Sequence, residues 1–209
     1  DSADALRLAD DYEEYSSILG LVEDGAGSLA AAQTAAGWRE QFAPEDDVLR
    51  VRSLQTLGMV SHRGGKDEEA IDLIRKAYRL GFDKSIADVD SSIESAQLLA
   101  SLLATRGDCE EALKVADGGL ALAKAKLPSD APSNLPLMRA RASALNACGR
   151  PTDAEPVLRE AIAMQERVVA AGGSRMMSLT NDLAVTLNDL GRYQEAAEML
   201  SRSDKAMNE

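Results

Sequence analysis

The segment Gly191-Arg192-Tyr193-Gln194-Glu195-Ala196 shows the organisation of the whole chain, because its pattern occurs three more times upstream. A glycine is followed five residues later by an alanine, with at least one acidic residue between them, at 65–70, 107–112 and 149–154. Successive glycines of this pattern are 42 residues apart, without exception. Equal spacings in a row predict a repeat architecture, in which each period is one supersecondary unit.

Helical patterns flank each of these glycines. Small and apolar residues recur every three or four positions before the glycine and again after it, which is typical of one face of an amphipathic helix. In the unit around Gly65, these positions are Leu54, Leu57, Gly58, Ser61, Ala70, Ile74 and Ala77. A glycine suits the end of the first helix, where a positive φ is needed, and the acidic residues then begin the second helix at its positive dipole end. Each unit is therefore predicted to be a helix, a tight turn and an antiparallel helix.

This pattern resembles the tetratricopeptide repeat family. The best single match comprises Leu183-Ala184, Leu187, Gly191-Arg192-Tyr193, Ala196 and Leu200. The family period is about 34 residues, and the longer period here is similar to the repeats of kinesin light chains and many bacterial signalling proteins. The resemblance covers about residues 48–207 and implies an all-α fold, a right-handed α-solenoid of about five antiparallel helical hairpins. Gly119 departs from the pattern, since alanine is preferred there, and predicts a helix softened by about 1 kcal/mol.

Four tandem repeats are predicted within residues 48–209, at about 48–82, 91–126, 134–171 and 175–207. Residues 1–42 are predicted to form a divergent hairpin that caps the N-terminal end, with its break at Gly25 and Gly27. The step from Gly25 to Ala30 repeats the five-residue signature, but it lies 40 rather than 42 residues before the next unit. Because the chain begins with Asp1 and ends without a polar capping helix, we expect it to be part of a longer protein.

Composition excludes several classes of function. The chain has 209 residues, 35 of them acidic and 23 basic, and its net charge of −12 argues against nucleic acid or an anionic membrane as a partner. No apolar run approaches the roughly 20 residues of a membrane span. With one histidine and two cysteines, a histidine metal cage or a four-cysteine zinc site cannot be built, so no metal and no cofactor are predicted. Cys109 and Cys148 lie at turns of adjacent units and could approach each other, but two free thiols in a cytoplasmic protein are the favoured prediction.

No catalytic constellation is visible. His62, the single imidazole, lies near the end of a first helix, where a solvated side chain beside the helix dipole is favoured over a ligand contact or a pH sensor. No Ser/His/Asp or Cys/His set can be assembled around it. The glycine pairs lack the spacing of a phosphate loop, and the acidic clusters lack the alternation of a calcium loop. The chain is therefore predicted not to be an enzyme.

The remaining candidate for function is the groove that the resemblance implies. First helices of such repeats line a concave surface used for binding. The resemblance implies thirteen side chains that point into this surface, and Thr105 in addition. The thirteen are Arg52, Gln55, Met59, His62, Arg63, Gln97, Ser101, Arg139, Ser143, Asn146, Asn181, Val185 and Asn188. Amides both donate and accept, so they can hold the backbone of an extended peptide. Asn181 resembles asparagines that family members use in this way. Other members of the family hold a carboxylate with a clamp of lysine and asparagine. This clamp is not matched here, because Gln55 and Met59 occupy the corresponding positions.

The predicted function is a non-enzymatic protein–protein interaction or scaffold domain that binds a peptide or helix in this groove. We expect it to be a regulatory part of a larger bacterial signalling protein, with partners that include other domains of the same parent chain. The alternative is a structural spacer or self-association module whose groove is empty or filled intramolecularly. No nucleic acid and no membrane are expected among its partners.

Overall fold

The computed structural model describes residues 2–83, 88–129, 131–168 and 174–207, and ten α-helices account for nearly all of them. They are α1 (Ser2–Leu21), α2 (Gly25–Phe42), α3 (Asp47–Arg63), α4 (Asp67–Asp83), α5 (Val89–Arg106), α6 (Cys109–Lys126), α7 (Asn134–Ala147), α8 (Pro151–Val168), α9 (Ser174–Asp189) and α10 (Tyr193–Met207). The described residues contain no β-strand. The prediction of an all-α helical-repeat fold is confirmed.

The four repeat glycines adopt the conformation that the sequence predicts. Gly65, Gly107, Gly149 and Gly191 have φ angles of 73°, 97°, 68° and 75°. The residue after each of them donates its backbone N–H to a carbonyl five positions earlier, as Lys66 does to Ser61 at 2.9 Å. This is the Schellman end of a helix, which satisfies carbonyls that the last turn leaves free. The chain can then reverse into the second helix within two or three residues.

The first hairpin obeys the same period, and its predicted break at Gly25 is wrong by two residues. Gly25 begins α2, and the positive φ of 63° belongs to Glu23, which lies 42 residues before Gly65. Asp24 donates its backbone N–H to the Leu19 carbonyl at 3.0 Å, which is the bond that Lys66 makes in the next unit. The 42-residue period therefore runs through five hairpins, the first of which has glutamate where the others have glycine.

Small residues let the two helices of a hairpin pack closely. In the second hairpin, a Cβ added at Gly58 would lie 2.6 Å from Ile74 Cδ1 and 3.3 Å from the Ala70 carbonyl oxygen. One period earlier, Ser16 and Ser28 occupy the places of Gly58 and Ala70. Their buried hydroxyls each donate to the other's backbone carbonyl, at 2.7 and 2.8 Å. The serine pair therefore keeps the close approach and satisfies its own polar groups.

The chain divides into two compact units, residues 1–95 and residues 96–209, and the division falls within α5. Each unit has its own core: Val51, Ile71 and Ile74 are fully buried in unit 1, and Leu137, Leu158 and Leu183 in unit 2. In the parts of the chain that the structure describes, no helix combines the length and the apolar character that crossing a bilayer requires.

Candidate peptide-binding faces

The predicted groove residues lie on the first helices of both units. The first-helix face of unit 1 is the exposed side of α1, α3 and the beginning of α5. The first-helix face of unit 2 is the exposed side of the rest of α5, of α7 and of α9. One position of the 42-residue repeat is occupied, in successive hairpins, by Glu13, Gln55, Gln97, Arg139 and Asn181. These five side chains show how differently the two faces are built.

An ion cluster with a buried centre and exposed outer members occupies the first-helix face of unit 1. Glu13 accepts a hydrogen bond from Arg39 at 2.7 Å and another from the Thr56 hydroxyl, and it forms an ion pair with Arg52 at 2.7 Å. Arg39 is only 2% exposed and also contacts Asp10 at 2.7 Å. Burial raises the pKa of Glu13, but the hydrogen bonds from Arg39 and Thr56 and the two guanidinium charges outweigh it and hold the pKa below 4.5. Arg52, predicted to contact a ligand, is therefore already engaged within the protein.

The other candidates of unit 1 are also engaged or half-buried. Gln55 is buried, and its amide donates to the Ser91 carbonyl and to the Ser95 hydroxyl, both at 2.9 Å, which ties α3 to α5. His62 Nδ1 lies 2.7 Å from a carboxylate oxygen of Asp67. Met59 is half-buried and Arg63 is exposed. On this face, most of the polar side chains make contacts within the fold.

Three carboxylates of this face were missed by the sequence analysis. Asp10 and Glu94 lie 42 residues on either side of Arg52, and Glu13 lies 42 residues before Gln55, so the period alone could have identified them. Glu94 reaches solvent, but neighbouring atoms displace much of its hydration, and this desolvation raises its pKa. The carboxylates of Asp88 and Glu13 raise the pKa further, against the opposing effect of Arg52. The face is therefore charged rather than amide-rich.

The first-helix face of unit 2 has a different chemistry. Arg139 pairs with Asp182 across α7 and α9 at 2.5 Å, which neutralises both charges. The Asn146 amide donates to the Thr186 hydroxyl at 2.8 Å, so the two helices are joined at two levels. The remaining candidates are uncharged: Gln97 and Ser101 are half-buried, and Ser143, Asn181, Val185 and Asn188 are exposed. Val185 is 56% exposed and lies between the two asparagines on one stripe of α9.

This arrangement can recognise a main chain. Within the described residues, the amides of Asn181 and Asn188 have no hydrogen-bond partner, and they stand about two helical turns apart on α9. Each amide offers a donor and an acceptor to a ligand backbone. The isopropyl group of Val185 between them offers a small apolar contact. Amides that flank an apolar group suit an extended segment whose side chains alternate in direction.

The two cysteines form a disulfide, so the prediction of two free thiols is wrong. Cys109, the first residue of α6, is bonded to Cys148 at the end of α7, with their Cα atoms 5.3 Å apart. Glu110 lies beside the two sulfurs, and these three residues are the one cluster with metal-ligand character among the residues described. Because disulfides persist mainly in oxidising compartments, the bond removes one support for a cytoplasmic location.

Comparisons with known proteins agree with the repeat. The family model described as tetratricopeptide repeat matches residues 138–171 and 177–203. TPR-like repeats of a kinesin light chain from Podosopora anserina superpose with a TM-score of 0.78 at 20% identity, covering 97% of this chain and 95% of that one. BtubC from P. vanneervenii superposes with a TM-score of 0.74 at 13% identity, covering 98% and 89%.

A Rap protein solved in complex with Competence and Sporulation Factor superposes with a TM-score of 0.76 at 14% identity. The alignment covers 93% of this chain and 52% of the Rap protein. Among the curated proteins, none matches the sequence significantly. At sequence identities this low, the superpositions show only that the folds are alike.

Proposed function

Because the chain belongs to the tetratricopeptide repeat family, whose helical hairpins commonly mediate protein–protein interactions, we propose that the first-helix face of unit 2 binds an extended peptide segment of a protein partner. In this role the chain is a non-enzymatic scaffold or regulatory domain. Its partners are proteins, including other domains of the same parent chain.

The observation that carries this proposal is the exposed stripe Asn181, Val185 and Asn188 on α9. Within the described residues, the isopropyl group of Val185 is 56% exposed and lies between two amides that have no hydrogen-bond partner. A peptide backbone laid along the stripe would bond the amides and cover the valine. The neutral Arg139–Asp182 pair at the same level leaves the face without a strong charge preference. The Rap protein bound to its factor is an example of a ligand held by a chain of similar fold.

Unit 1 is the poorer candidate for the same role. Two of its carboxylates, Asp10 and Glu13, already pair with Arg39 and Arg52. A ligand would have to replace these bonds and would gain only the difference in free energy. We therefore assign peptide recognition to unit 2 and a structural role to the ion cluster of unit 1.

The test is a selection of binders from a random dodecapeptide library displayed on phage, with the full chain as bait. We expect the selected peptides to bind Asn181→Ala about tenfold more weakly than the wild type, which corresponds to the loss of one or two hydrogen bonds. The dissociation constants are measured by fluorescence anisotropy of the labelled peptide.

The matched control is Gln194→Ala, which removes an exposed amide from α10 and leaves the first-helix face intact. Its affinity should equal that of the wild type, and both variants should melt at the wild-type temperature. The proposal is refuted if the selection yields no binder, or if the selected peptides bind Asn181→Ala and Asn188→Ala as tightly as the wild type. Either result would favour the spacer alternative.

A further inference from the structure

The disulfide of unit 2 joins the turns of two successive hairpins. Cys109 follows the turn glycine Gly107, and Cys148 precedes the equivalent glycine Gly149. Both cysteines are half-buried, so neither residue is enclosed in the core of unit 2. The disulfide is the only covalent link between α6 and α7 at this end of the helices, within the part of the chain that is described.

The two sulfurs lie at opposite ends of helix dipoles. Cys109 is at the N-terminus of α6, where backbone N–H groups stabilise a thiolate. These N–H groups are not occupied by a cap: Asp108 makes no capping bond and pairs with Arg106 instead. In α2, by contrast, Asp24 caps the helix by accepting from the Gly27 N–H at 2.9 Å. Asp108 therefore leaves the N–H groups at the start of α6 without a capping side chain.

Cys148 has the opposite surroundings. It ends α7, where the last carbonyl groups carry the negative end of the dipole. Its sulfur lies 3.8 Å from a carboxylate oxygen of the exposed Glu110. The helix end disfavours a thiolate at Cys148, whereas the Glu110 carboxylate lies near both sulfurs and does not distinguish between them. In thiol–disulfide exchange the sulfur that leaves fastest is the one whose thiolate is better stabilised, and here this is Cys109.

We propose that this bond is a thiol–disulfide exchange site, at which an external thiolate attacks Cys148 Sγ and Cys109 leaves. A new sulfur–sulfur bond forms between the external thiol and Cys148, while the bond between the two protein sulfurs breaks. The electron pair of the broken bond stays on Cys109 as a thiolate, so the external thiol is oxidised and Cys109 is reduced. Cys148 is thus a site of reversible S-thiolation, and its modification releases the link between α6 and α7.

A second feature concerns the charge of the attacking thiol. The Glu110 carboxylate beside Cys148 repels an anionic thiol and attracts a cationic one over a few ångströms. The site should therefore react faster with cysteamine, which carries an ammonium group, than with glutathione, which is net negative. This inference is independent of the peptide proposed for α9, because its readout is a covalent adduct.

The experiment treats the folded, oxidised chain with glutathione, traps the products with iodoacetamide and maps them by mass spectrometry. We expect glutathione on Cys148 and carbamidomethyl on Cys109, in about fivefold excess or more over the reverse pattern. Equal amounts of the two patterns would overturn the assignment. So would a bond that resists glutathione in the native chain and opens only in urea.

Glu110→Gln tests the charge effect, and Glu111→Gln is its matched control, since Glu111 lies outside the cluster around the sulfurs. Glu110→Gln should lower the ratio of the cysteamine rate to the glutathione rate by about threefold. Glu111→Gln should leave this ratio unchanged. If Glu110 were only structural, its replacement would change both rates by the same factor, and that result would contradict the proposal.

Discussion

Glu23 shows how one residue can carry a local strain that the fold tolerates. Its φ of 63° is forced by the tight turn between α1 and α2, where the other four hairpins have glycine. A side chain in this conformation costs about 1–2 kcal/mol, because its Cβ crowds the following carbonyl. The carbonyl of Leu19 accepts the turn hydrogen bond as in the other units, so the geometry of the turn is kept at that cost.

Replacing this residue should therefore stabilise the protein. We expect Glu23→Gly to raise the free energy of unfolding by about 0.5–1 kcal/mol, since the relief of strain exceeds the added flexibility of the unfolded chain. Urea denaturation followed by circular dichroism measures this change. Gly65→Ala is the reverse control and should lower stability by about 1 kcal/mol. A loss of stability in Glu23→Gly would mean that the carboxylate contributes more than its backbone costs.

At the scale of the helix, Gly119 sets how closely α6 packs against its neighbours. A Cβ added there would lie 2.7 Å from Leu137 Cδ2 in α7 and 2.8 Å from Ala96 Cβ in α5. The leucine methyl could rotate away, but the Ala96 Cβ is fixed to the α5 backbone. The glycine that the sequence presents as a defect in α6 is thus the residue that allows three helices to meet.

The substitution Gly119→Ala separates helix propensity from packing. Propensity alone predicts a gain of about 1 kcal/mol, whereas overpacking of the contact with Ala96 should produce a net loss of about 1–2 kcal/mol. Gly37→Ala in α2 is the control, because its Cβ would meet nothing within 4 Å. This control should gain about 0.5–1 kcal/mol in the same urea titration. Equal gains in the two variants would show that α5 and α6 move apart freely.

At the scale of the whole molecule, paired carboxylates determine how stability responds to acid. In unit 2, Glu155 accepts from Arg159 at 2.8 Å and from Arg192 at 2.6 Å, and Glu195 completes this network. Slight burial raises the pKa of Glu155, but the hydrogen bonds from both arginines outweigh it and hold the pKa below 4.5. The pKa of Glu195 is lowered mainly by its hydrogen bond with Arg192, and that of Glu13 in unit 1 is lowered as described above.

Each of these acids binds a proton less readily in the folded chain than in the unfolded one. Their contribution to stability is therefore complete above their unfolded pKa of about 4.5 and is lost as the pH falls through the lower folded values. We expect the urea midpoint to be steady above about pH 5 and to fall steeply below about pH 4.5. Glu94 acts in the opposite sense, because its raised pKa favours protonation of the folded state.

Glu13→Gln isolates one member of this set. The variant should be less stable at neutral pH, because Arg39 stays buried and, among the described residues, keeps only Asp10 as a charged partner. It should also lose less stability than the wild type between neutral and acidic pH. If the midpoints of the two proteins fell in parallel, the cluster of unit 1 would not contribute to acid unfolding.

The sequence alone determined the hairpins, because each depends on contacts within a few residues. A glycine with positive φ, a helical stripe of small residues and acidic residues at the next helix start are local features, and they recur at a fixed period. The same period locates the first hairpin, but three of its residues do not match the residue types of the pattern. Glu23, Ser16 and Ser28 each replace the expected glycine or alanine and keep the structural role of that residue. The pattern therefore assigns residues to first helices, but it does not tell which of their side chains are exposed: Gln55, expected to face a ligand, is buried.

Which residues meet across packed helices was decided only by the tertiary structure. Arg39 is paired with Glu13 from 26 positions earlier, and Cys109 with Cys148 from 39 positions later. Such pairs depend on the rotation and the distance between packed helices, and a residue pattern along one helix contains neither quantity. For the same reason the sequence could not tell that Asp10 and Glu13 pair with Arg39 and Arg52, while the amides of Asn181 and Asn188 have no hydrogen-bond partner among the described residues.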